Sequence, residues 1–222
     1  MERLVIAIDG PSGVGKSSLG KALARRLGLL YIDSGAVYRA VAQRAIDEKA
    51  PLDDAAAVAD IASRSDIRLE GDPDHLRIFL DGREVTREIR TPETSQASSI
   101  IATIPEVRQA VVLKLREMAR GGGVVMDGRD IGTKVFPDAR LKLFLDAAPD
   151  VRARRRWEED RARGRDVTLD QIRRELEARD RRDSERAATP LIQAEDAVSV
   201  DTSEMNLDRV IERVLEIVES RR

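Results

Sequence analysis

The stretch "GPSGVGKS", residues 10–17, decides the fold of this chain. It matches the pattern G-x-x-x-x-G-K-[ST], which average residue usage would produce by chance in roughly one chain of this length in a hundred. The apolar run LVIAID (4–9) precedes it, and KSSLGKALARRLG (16–28), with apolar residues at helical spacing, follows it. Between a strand and a helix, the N–H groups of such a loop and of the helix N-terminus bind phosphate. The stretch therefore predicts a phosphate-binding loop.

Every residue of this loop, and the serine after it, is expected to contribute to nucleotide binding. These residues are Gly10, Pro11, Ser12, Gly13, Val14, Gly15, Lys16, Ser17 and Ser18. Lys16 is expected to reach the β- and γ-phosphates, and the Ser17 hydroxyl to bind Mg²⁺. Since Ser18 offers a second hydroxyl, which of the two serines faces the metal stays open. A glycine-rich turn without a ligand would have no use for lysine and serine at these offsets.

Further apolar runs along the chain alternate with helical patterns. Short runs at 29–33, 124–127, 141–146 and 197–201 join 4–9 as predicted strands. This alternation predicts an α/β fold, a P-loop core with a five-stranded parallel sheet flanked by helices. Two segments do not fit the core and are predicted to be insertions, 34–110 and 151–187. The core of the single domain (1–222) is then formed by 1–33, 111–150 and 188–222.

The sequence pattern changes in the middle of the first insertion. Residues 67–85 alternate between polar and apolar, and Asp81-Gly82 sits between two alternating runs. This pattern predicts a hairpin within a small antiparallel sheet. Helices are expected from 36 to 50 and 54 to 63 before it, and in 92–103 and 105–120 after it. The one histidine, His75, lies in this segment and is expected to be structural or exposed.

The second insertion is rich in arginine. Residues 151–187 contain 13 Arg, no Lys and 10 acidic residues. Helices are predicted at 149–163, leading to a lid tip at Gly164, and at 168–187, with Thr168 as N-cap. On the second helix Arg179, Asp183 and Arg186 share one face. Asp180, Arg181 and Glu185 are expected to form a solvated ion-pair face, and Arg182, at the border, is left open.

Composition excludes several function classes. The chain has 222 residues, 36% of them charged, a net charge of −2 and no cysteine. Thiol chemistry and disulfides are excluded, and a nucleic-acid binder driven by bulk charge is not expected. No apolar run approaches the length of a membrane span, and the N-terminal run is too short for a signal peptide. The prediction is a cytoplasmic protein without a membrane partner, and a monomer because no exposed apolar stripe is seen.

A phosphate loop leaves two classes of enzyme open, an NTPase that hydrolyses with water and a kinase that phosphorylates a small acceptor. A GTPase should contain an Asn-Lys-x-Asp motif that reads the base, and the chain has none. A kinase needs an acceptor pocket and a lid that excludes water. The two insertions are candidates for these parts, so the sequence favours a kinase.

Several motifs make the chain resemble the bacterial cytidylate kinases. They are DSGAVYR (33–39), EIRT (88–91), DGRDIGT (127–133), VFPDA (135–139) and RDRRD (179–183) with Arg186. The match runs nearly end to end, in order, and includes the antiparallel insert. One departure is the pair Ser17-Ser18, where similar kinases often carry Gly-Thr after the loop lysine.

The resemblance implies an acceptor site for CMP or dCMP. It assigns Ser34, Arg39, Arg129 and Arg186 to the acceptor phosphate, Ser99, Arg108 and Asp130 to the cytosine edge, and Arg179 with Asp183 to the ribose side. It also implies the reaction, transfer of the ATP γ-phosphoryl group to CMP or dCMP, which gives ADP and CDP or dCDP. Segment 34–110 is then the nucleoside monophosphate (NMP) insert and 151–187 the lid.

The implied catalytic residues carry charge, because an ionised acceptor phosphate requires no general base. They are Lys16, Arg129 and a lid arginine, for which we choose Arg156 among Arg152, Arg154, Arg155 and Arg156. Asp127 is expected to hold Mg²⁺ through water, with Asp33 as the alternative and a turn-forming role for Asp127 equally compatible. A kinase for another nucleoside monophosphate or for shikimate, and a regulatory nucleotide-binding protein without turnover, remain as alternatives.

Overall fold

The structure, a computed structural model, describes residues 4–186 and 189–220. The strands in these residues are β1 (Val5–Asp9), β2 (Leu30–Asp33), β3 (Ile67–Glu70), β4 (Arg77–Leu80), β5 (Arg83–Glu84), β6 (Val124–Asp127), β7 (Leu141–Asp146) and β8 (Val198–Asp201). The helices are α1 (Lys16–Leu27), α2 (Ser34–Asp47), α3 (Ala55–Arg64), α4 (Pro92–Ile101), α5 (Pro105–Met118), α6 (Pro149–Ala162), α7 (Leu169–Glu185) and α8 (Leu207–Ser220). A 3₁₀ turn at Glu88–Arg90 and a π-helical turn at Ile131–Val135 complete them.

The predicted five-stranded parallel sheet is confirmed. Its strand order is β2-β6-β1-β7-β8, and every pair in it is parallel. The register sets Asp127 of β6 beside both Asp33 of β2 and Ile8 of β1. Because parallel strands end at the same edge, these carboxylates meet beside the loop that follows β1. The sheet thereby brings three separate sequence motifs to one place.

Apolar residues cover both faces of this sheet. On one face α1 and α8 pack through residues such as Leu19, Leu23 and Val214. On the other, Ala7 and Met126 of the sheet join one apolar cluster with residues of α2, α3 and α5. The NMP insert and the core therefore share buried contacts, and the domain boundaries stay predictions. No helix in the two described ranges is both long and apolar enough to cross a membrane.

The small antiparallel sheet in the insert is confirmed. Strands β3, β4 and β5 pair in that order, and Asp81 and Gly82 form a two-residue turn with φ of 50° and 82°. Positive φ at both positions is the twist-compatible hairpin turn that Asp-Gly predicts. His75 is exposed and lies 3.1 Å from the Asp72 carboxylate.

Helix ends follow from capping side chains. Helix α2 begins at Ser34, two residues before the predicted start, because the Asp33 carboxylate accepts the Ala36 N–H at 2.9 Å. Thr168 caps α7 in a full capping box, as predicted, and Asn206 caps α8 by accepting the Arg209 N–H at 3.0 Å. The lid helices α6 and α7 pack on each other through a small cluster of their own.

Candidate active site

The loop after β1 is shaped by glycines that no other residue could replace. Gly10 has a φ of 143°, and a Cβ atom there would lie 2.1 Å from the Leu145 carbonyl oxygen. At Gly13, with a φ of 81°, a Cβ atom would lie 2.9 Å from the Arg152 carbonyl oxygen. Glycine permits both the positive φ and the close approach, so the loop can adopt the tight turn that a phosphate loop requires.

Lys16 lies at the centre of this loop. It is buried, and its ammonium group donates to the Pro11 carbonyl at 2.5 Å. Burial, together with the nearby Arg129 cation, lowers the pKa of Lys16 well below its ordinary value. An anion bound in the loop would offset that cost, which is the electrostatic requirement of a triphosphate site.

Oxygen ligands suited to Mg²⁺ lie next to the loop. The Ser17 hydroxyl donates to Asp127 Oδ2 at 3.1 Å, and the Tyr31 hydroxyl donates to Asp127 Oδ1 at 2.6 Å. Burial and the neighbouring Asp33 raise the pKa of Asp127 to about 6, so a cation here would be favourable. Magnesium in such sites uses one or two protein oxygens together with substrate phosphates, so Ser17 and Asp127 fit the ion.

Asp33 is engaged elsewhere. One carboxylate oxygen caps α2, and the other accepts from Arg39 Nη2 at 2.9 Å. Burial raises the pKa of Asp33, but the Arg39 and Arg90 charges and the hydrogen bonds from Ala36 and Arg39 together outweigh it, so the pKa is lowered. Of the two candidate carboxylates, Asp127 is therefore the one that faces Ser17.

A cavity of about 760 Å³ runs from the loop between the NMP insert and the lid. Five donor atoms on residues that line it are buried without a hydrogen-bond partner among the described residues: Arg39 Nε, Ser99 Oγ, Arg108 Nε, Arg179 Nε and Arg186 Nη2. Buried unpaired donors are rare because each costs about 1–3 kcal/mol. Five in one cavity indicate a ligand rich in acceptor atoms.

One end of this cavity holds a neutral, polar recognition surface. Arg108 and Asp130 form a buried ion pair, and Arg108 Nη1 donates to the Ala102 carbonyl at 3.0 Å. The Arg108 guanidinium lies 5.6 Å from the centroid of the Tyr38 ring. The Ser99 hydroxyl also lines this end of the cavity. The end therefore offers a carboxylate acceptor together with hydroxyl and guanidinium donors, which matches the donor and acceptor atoms on the edge of cytosine.

The arginines concentrate toward the phosphate loop. Arg129 Nε donates to Asp183 at 2.7 Å, and Arg179 Nε lies 4.0 Å from the same carboxylate. Burial and the Arg129 charge lower the pKa of Arg179 to about 9, and Arg39 contributes to that shift. Uncompensated positive charge of this kind predicts an anionic ligand.

Three further residues that the resemblance assigns to the acceptor line the same cavity. Burial and the Arg108 charge lower the pKa of Arg186, and the Asp130 and Asp183 carboxylates both interact with it. Arg179 lies 4.0 Å from the Asp183 carboxylate, and its assignment to the ribose side stays a prediction. Ser34 lines the cavity, but its hydroxyl proton is donated to the Asp127 carbonyl at 2.6 Å. Its oxygen and the α2 N-terminus remain available to an anion.

The lid arginines divide into structural and cavity-lining residues. Arg152 donates to the Ser12 carbonyl at 3.3 Å and pairs with Asp180 at 2.5 Å, so it fastens α6 to the loop and to α7. This corrects the expectation that Asp180 belongs to a solvated face. Arg155 and Arg156 both line the cavity; Arg155 donates to the Thr202 carbonyl at 2.6 Å, and Arg156 lies beside the Asp160 carboxylate at 3.2 Å.

Several charged residues of α6 and α7 lie outside the cavity. Arg154 is exposed and does not line the cavity, and Arg181 and Glu185 are exposed as predicted. Arg182, left open from the sequence, donates to the Ala178 carbonyl at 3.2 Å and lies outside the cavity lining. Of the two arginines of α6 that line the cavity, Arg155 is bound to the Thr202 carbonyl and Arg156 only to carboxylates of its own helix, so Arg156 stays the candidate.

Sequence reasoning missed two features of the site. Asp9, at the end of β1, accepts the N–H groups of Ile131 and Gly132 at 2.8 and 2.7 Å and so fixes the turn after Arg129. Burial raises the pKa of Asp9 to about 6. The far end of the cavity, lined by Thr202, Met205, Asn206 and Leu207, was also missed. A carboxylate one residue before the loop was a visible signal for Asp9, and nothing in the sequence pattern marked the far end.

A second anion site beside a phosphate loop distinguishes the class of protein. A hydrolase needs only water as acceptor, whereas a kinase must bind a second substrate in line with the first. The parallel sheet, the phosphate loop and the buried arginines facing it across one cavity are those of a P-loop kinase.

Known proteins that resemble the chain identify its family. The cytidylate kinase family model matches residues 6–220. The cytidylate kinase of Desulforamulus reducens is 50% identical over 218 residues, 98% of this chain and 98% of that protein. That of Desulfitobacterium hafniense is 47% identical over 216 residues, 97% of this chain and 93% of that protein. This chain belongs to the cytidylate kinase family.

Among solved structures the likeness is to the fold alone. An uncharacterized protein from Eubacterium ventriosum superimposes with a TM-score of 0.54 at 13% identity, covering 98% of this chain and 99% of that one. The architecture is thus shared with a protein of very different sequence.

Proposed function

We propose that this chain transfers the γ-phosphoryl group of ATP to CMP or dCMP, in line and without a general base. The observation that carries this proposal is the set of five buried donors without partners in the cavity opposite the phosphate loop. A nucleoside monophosphate supplies acceptors for all of them, since its phosphate, ribose and base are rich in oxygen and ring nitrogen. Membership of the cytidylate kinase family selects cytidine as the nucleoside.

Cytosine would be read at the Arg108–Asp130 end. Its N4 amine donates to a carboxylate, and its N3 and O2 atoms accept from donors such as Ser99 Oγ and Arg108 Nε. The buried Arg108–Asp130 pair is held in place by the Ala102 carbonyl, so the site is organised before the base arrives.

The acceptor phosphate would lie among Arg39, Arg129 and Arg186, the arginines that the resemblance assigns to it. Arg39 is oriented by Asp33 and Arg129 by Asp183, so two guanidinium groups are fixed before binding. Such charge-assisted hydrogen bonds position the nucleophilic oxygen and reduce repulsion from the incoming phosphoryl group. The acceptor oxygen is already ionised at neutral pH, so no side chain needs to remove a proton from it.

On the donor side, Lys16 would move from the Pro11 carbonyl to the β- and γ-phosphates, and Arg156 would reach the transferring group when the lid closes. Ser17 and Asp127 would hold Mg²⁺, which supplies charge for the γ-phosphoryl group as it leaves ADP. The apolar side chains at the far end of the cavity, Met205 and Leu207, fit the donor base.

The parts of the chain take roles that follow from these positions. Segment 34–110 contributes Arg39, Ser99 and Arg108 to the acceptor cavity, and 151–187 contributes Arg156 and Arg179 as a lid. Closure of the lid would exclude water, which favours transfer over hydrolysis. We propose that the protein acts as a cytoplasmic monomer on small-molecule substrates, without nucleic-acid or membrane partners.

The test is an acceptor panel. The protein is incubated with ATP and Mg²⁺ plus CMP, dCMP, UMP, AMP, shikimate or no acceptor, and the products are separated by ion-exchange chromatography. We expect equal amounts of ADP and CDP (or dCDP), slower turnover of UMP, and almost no ADP without acceptor. Undiminished ADP formation without acceptor would indicate an NTPase. Preference for AMP or shikimate would reassign the acceptor.

A further inference from the structure

Tyr31 is a fully buried tyrosine beside the phosphate loop. It lies on the edge strand β2, is 2% exposed, and is paired in register with Val125, two residues before Asp127. Its ring packs on the backbone of α1 at Gly20, where a Cβ atom would lie 2.7 Å from the ring. The absence of a side chain at Gly20 therefore creates the space that the ring occupies.

The hydroxyl of this ring ends on the proposed metal carboxylate. Tyr31 Oη donates to Asp127 Oδ1 at 2.6 Å, and Ser17 Oγ donates to Asp127 Oδ2 at 3.1 Å. Each carboxylate oxygen thus has one hydroxyl donor. The terminal torsion of an aspartate is soft, so hydrogen bonds of this kind decide which oxygen faces a ligand.

Without the Tyr31 hydroxyl, the Lys16 ammonium group would compete for the Asp127 carboxylate. The Lys16 ammonium lies close enough to Asp127 to affect its electrostatics. A carboxylate released on one side would be drawn toward that cation and away from Ser17, since opposite charges at short range in a buried site attract strongly.

We propose that Tyr31 is a positioning residue, whose hydroxyl holds the Asp127 carboxylate toward the metal position beside Ser17. The proposal rests on the proposed function, since it assumes that Ser17 and Asp127 hold Mg²⁺. Groups that orient a metal-binding carboxylate in this way affect metal affinity about 10–100-fold without touching the metal.

The experiment measures the binding of ADP with and without Mg²⁺, by isothermal titration calorimetry on the full chain. The quantity of interest is the ratio of the Kd without metal to the Kd with Mg²⁺. In Tyr31→Phe we expect this ratio to fall about 10-fold, with the metal-free Kd unchanged. The other tyrosine provides a matched control, since Tyr38→Phe removes a hydroxyl at the acceptor end and should leave the ratio unchanged.

A double-mutant cycle separates positioning from general destabilisation. In an Asp127→Asn background, Tyr31→Phe should have no further effect on the ratio, because the carboxylate it orients is gone. An unchanged ratio in Tyr31→Phe, with a wild-type ratio above one, overturns the role of Tyr31 and leaves the kinase function standing. A wild-type ratio of one overturns both the role of Tyr31 and the metal site. If Tyr31→Phe also weakens metal-free ADP binding to the same extent, Tyr31 is only structural and the proposal fails.

Discussion

Replacing Asp130 by Asn should relax the choice between cytosine and uracil. The Asp130 carboxylate is buried, 4% exposed, and can accept from the N4 amine of cytosine but not from O4 of uracil. Two acceptors that face each other in a buried site cost about 1–3 kcal/mol of binding free energy, and this cost applies to uracil. An asparagine amide can turn an N–H toward O4, so the variant removes the cost.

The effect is measured as the preference of the enzyme for CMP over UMP. At 1.4 kcal/mol per factor of ten, the ratio of kcat/KM for CMP to that for UMP should fall about 5–150-fold in Asp130→Asn. Steady-state CDP and UDP formation, measured by chromatography, gives both values. Asp138→Asn, an exposed aspartate in the same connection, should leave the ratio unchanged. A folded Asp130→Asn protein with the wild-type ratio would refute the base-reading role.

Four further predictions follow from single residues. Lys16→Met should lower kcat about 100–1,000-fold in single-turnover assays, because a cation is lost from the transferring phosphate. Arg156→Met should lower kcat about 10–100-fold with CMP affinity nearly unchanged, while the exposed Arg154→Met has no effect; equal loss in both would argue against a specific lid contact. Gly10→Ala should reduce the free energy of unfolding by about 3 kcal/mol or more, as measured by urea denaturation, because the Cβ atom would overlap a carbonyl 2.1 Å away. The pKa of Asp9 is raised to about 6, from 3.8 in the unfolded chain, so the native state binds this proton more tightly; wild type should gain about 2 kcal/mol relative to Asp9→Asn as the pH falls from 7 to 4, and a pH-independent difference would contradict this.

Several elements of the fold could be predicted because each depends on a short stretch of sequence. The loop motif sits between β1 and α1 as expected, and Asp-Gly at 81–82 forms the predicted hairpin turn. Thr168 and Asn206 cap helices because their oxygens accept nearby N–H groups, which depends only on neighbouring residues. These features need no knowledge of distant parts of the chain.

Features that depend on partners far along the chain could not be predicted in this way. Helical spacing placed Asp180 off the site face, but it could not show that Arg152 of α6 packs there. Helix periodicity predicts on which side of a helix a residue lies. Which residues pack against that side is decided by tertiary packing.

The central claim, that the five unpaired donors bind a cytidine monophosphate, is tested most directly by a crystal structure with CMP and a non-hydrolysable ATP analogue. The account predicts CMP oxygen atoms or ring nitrogens about 3 Å from Arg39 Nε, Arg179 Nε and Arg108 Nε, with the base against Asp130. A CMP molecule that binds with its base toward the phosphate loop, or outside this cavity, would contradict the account.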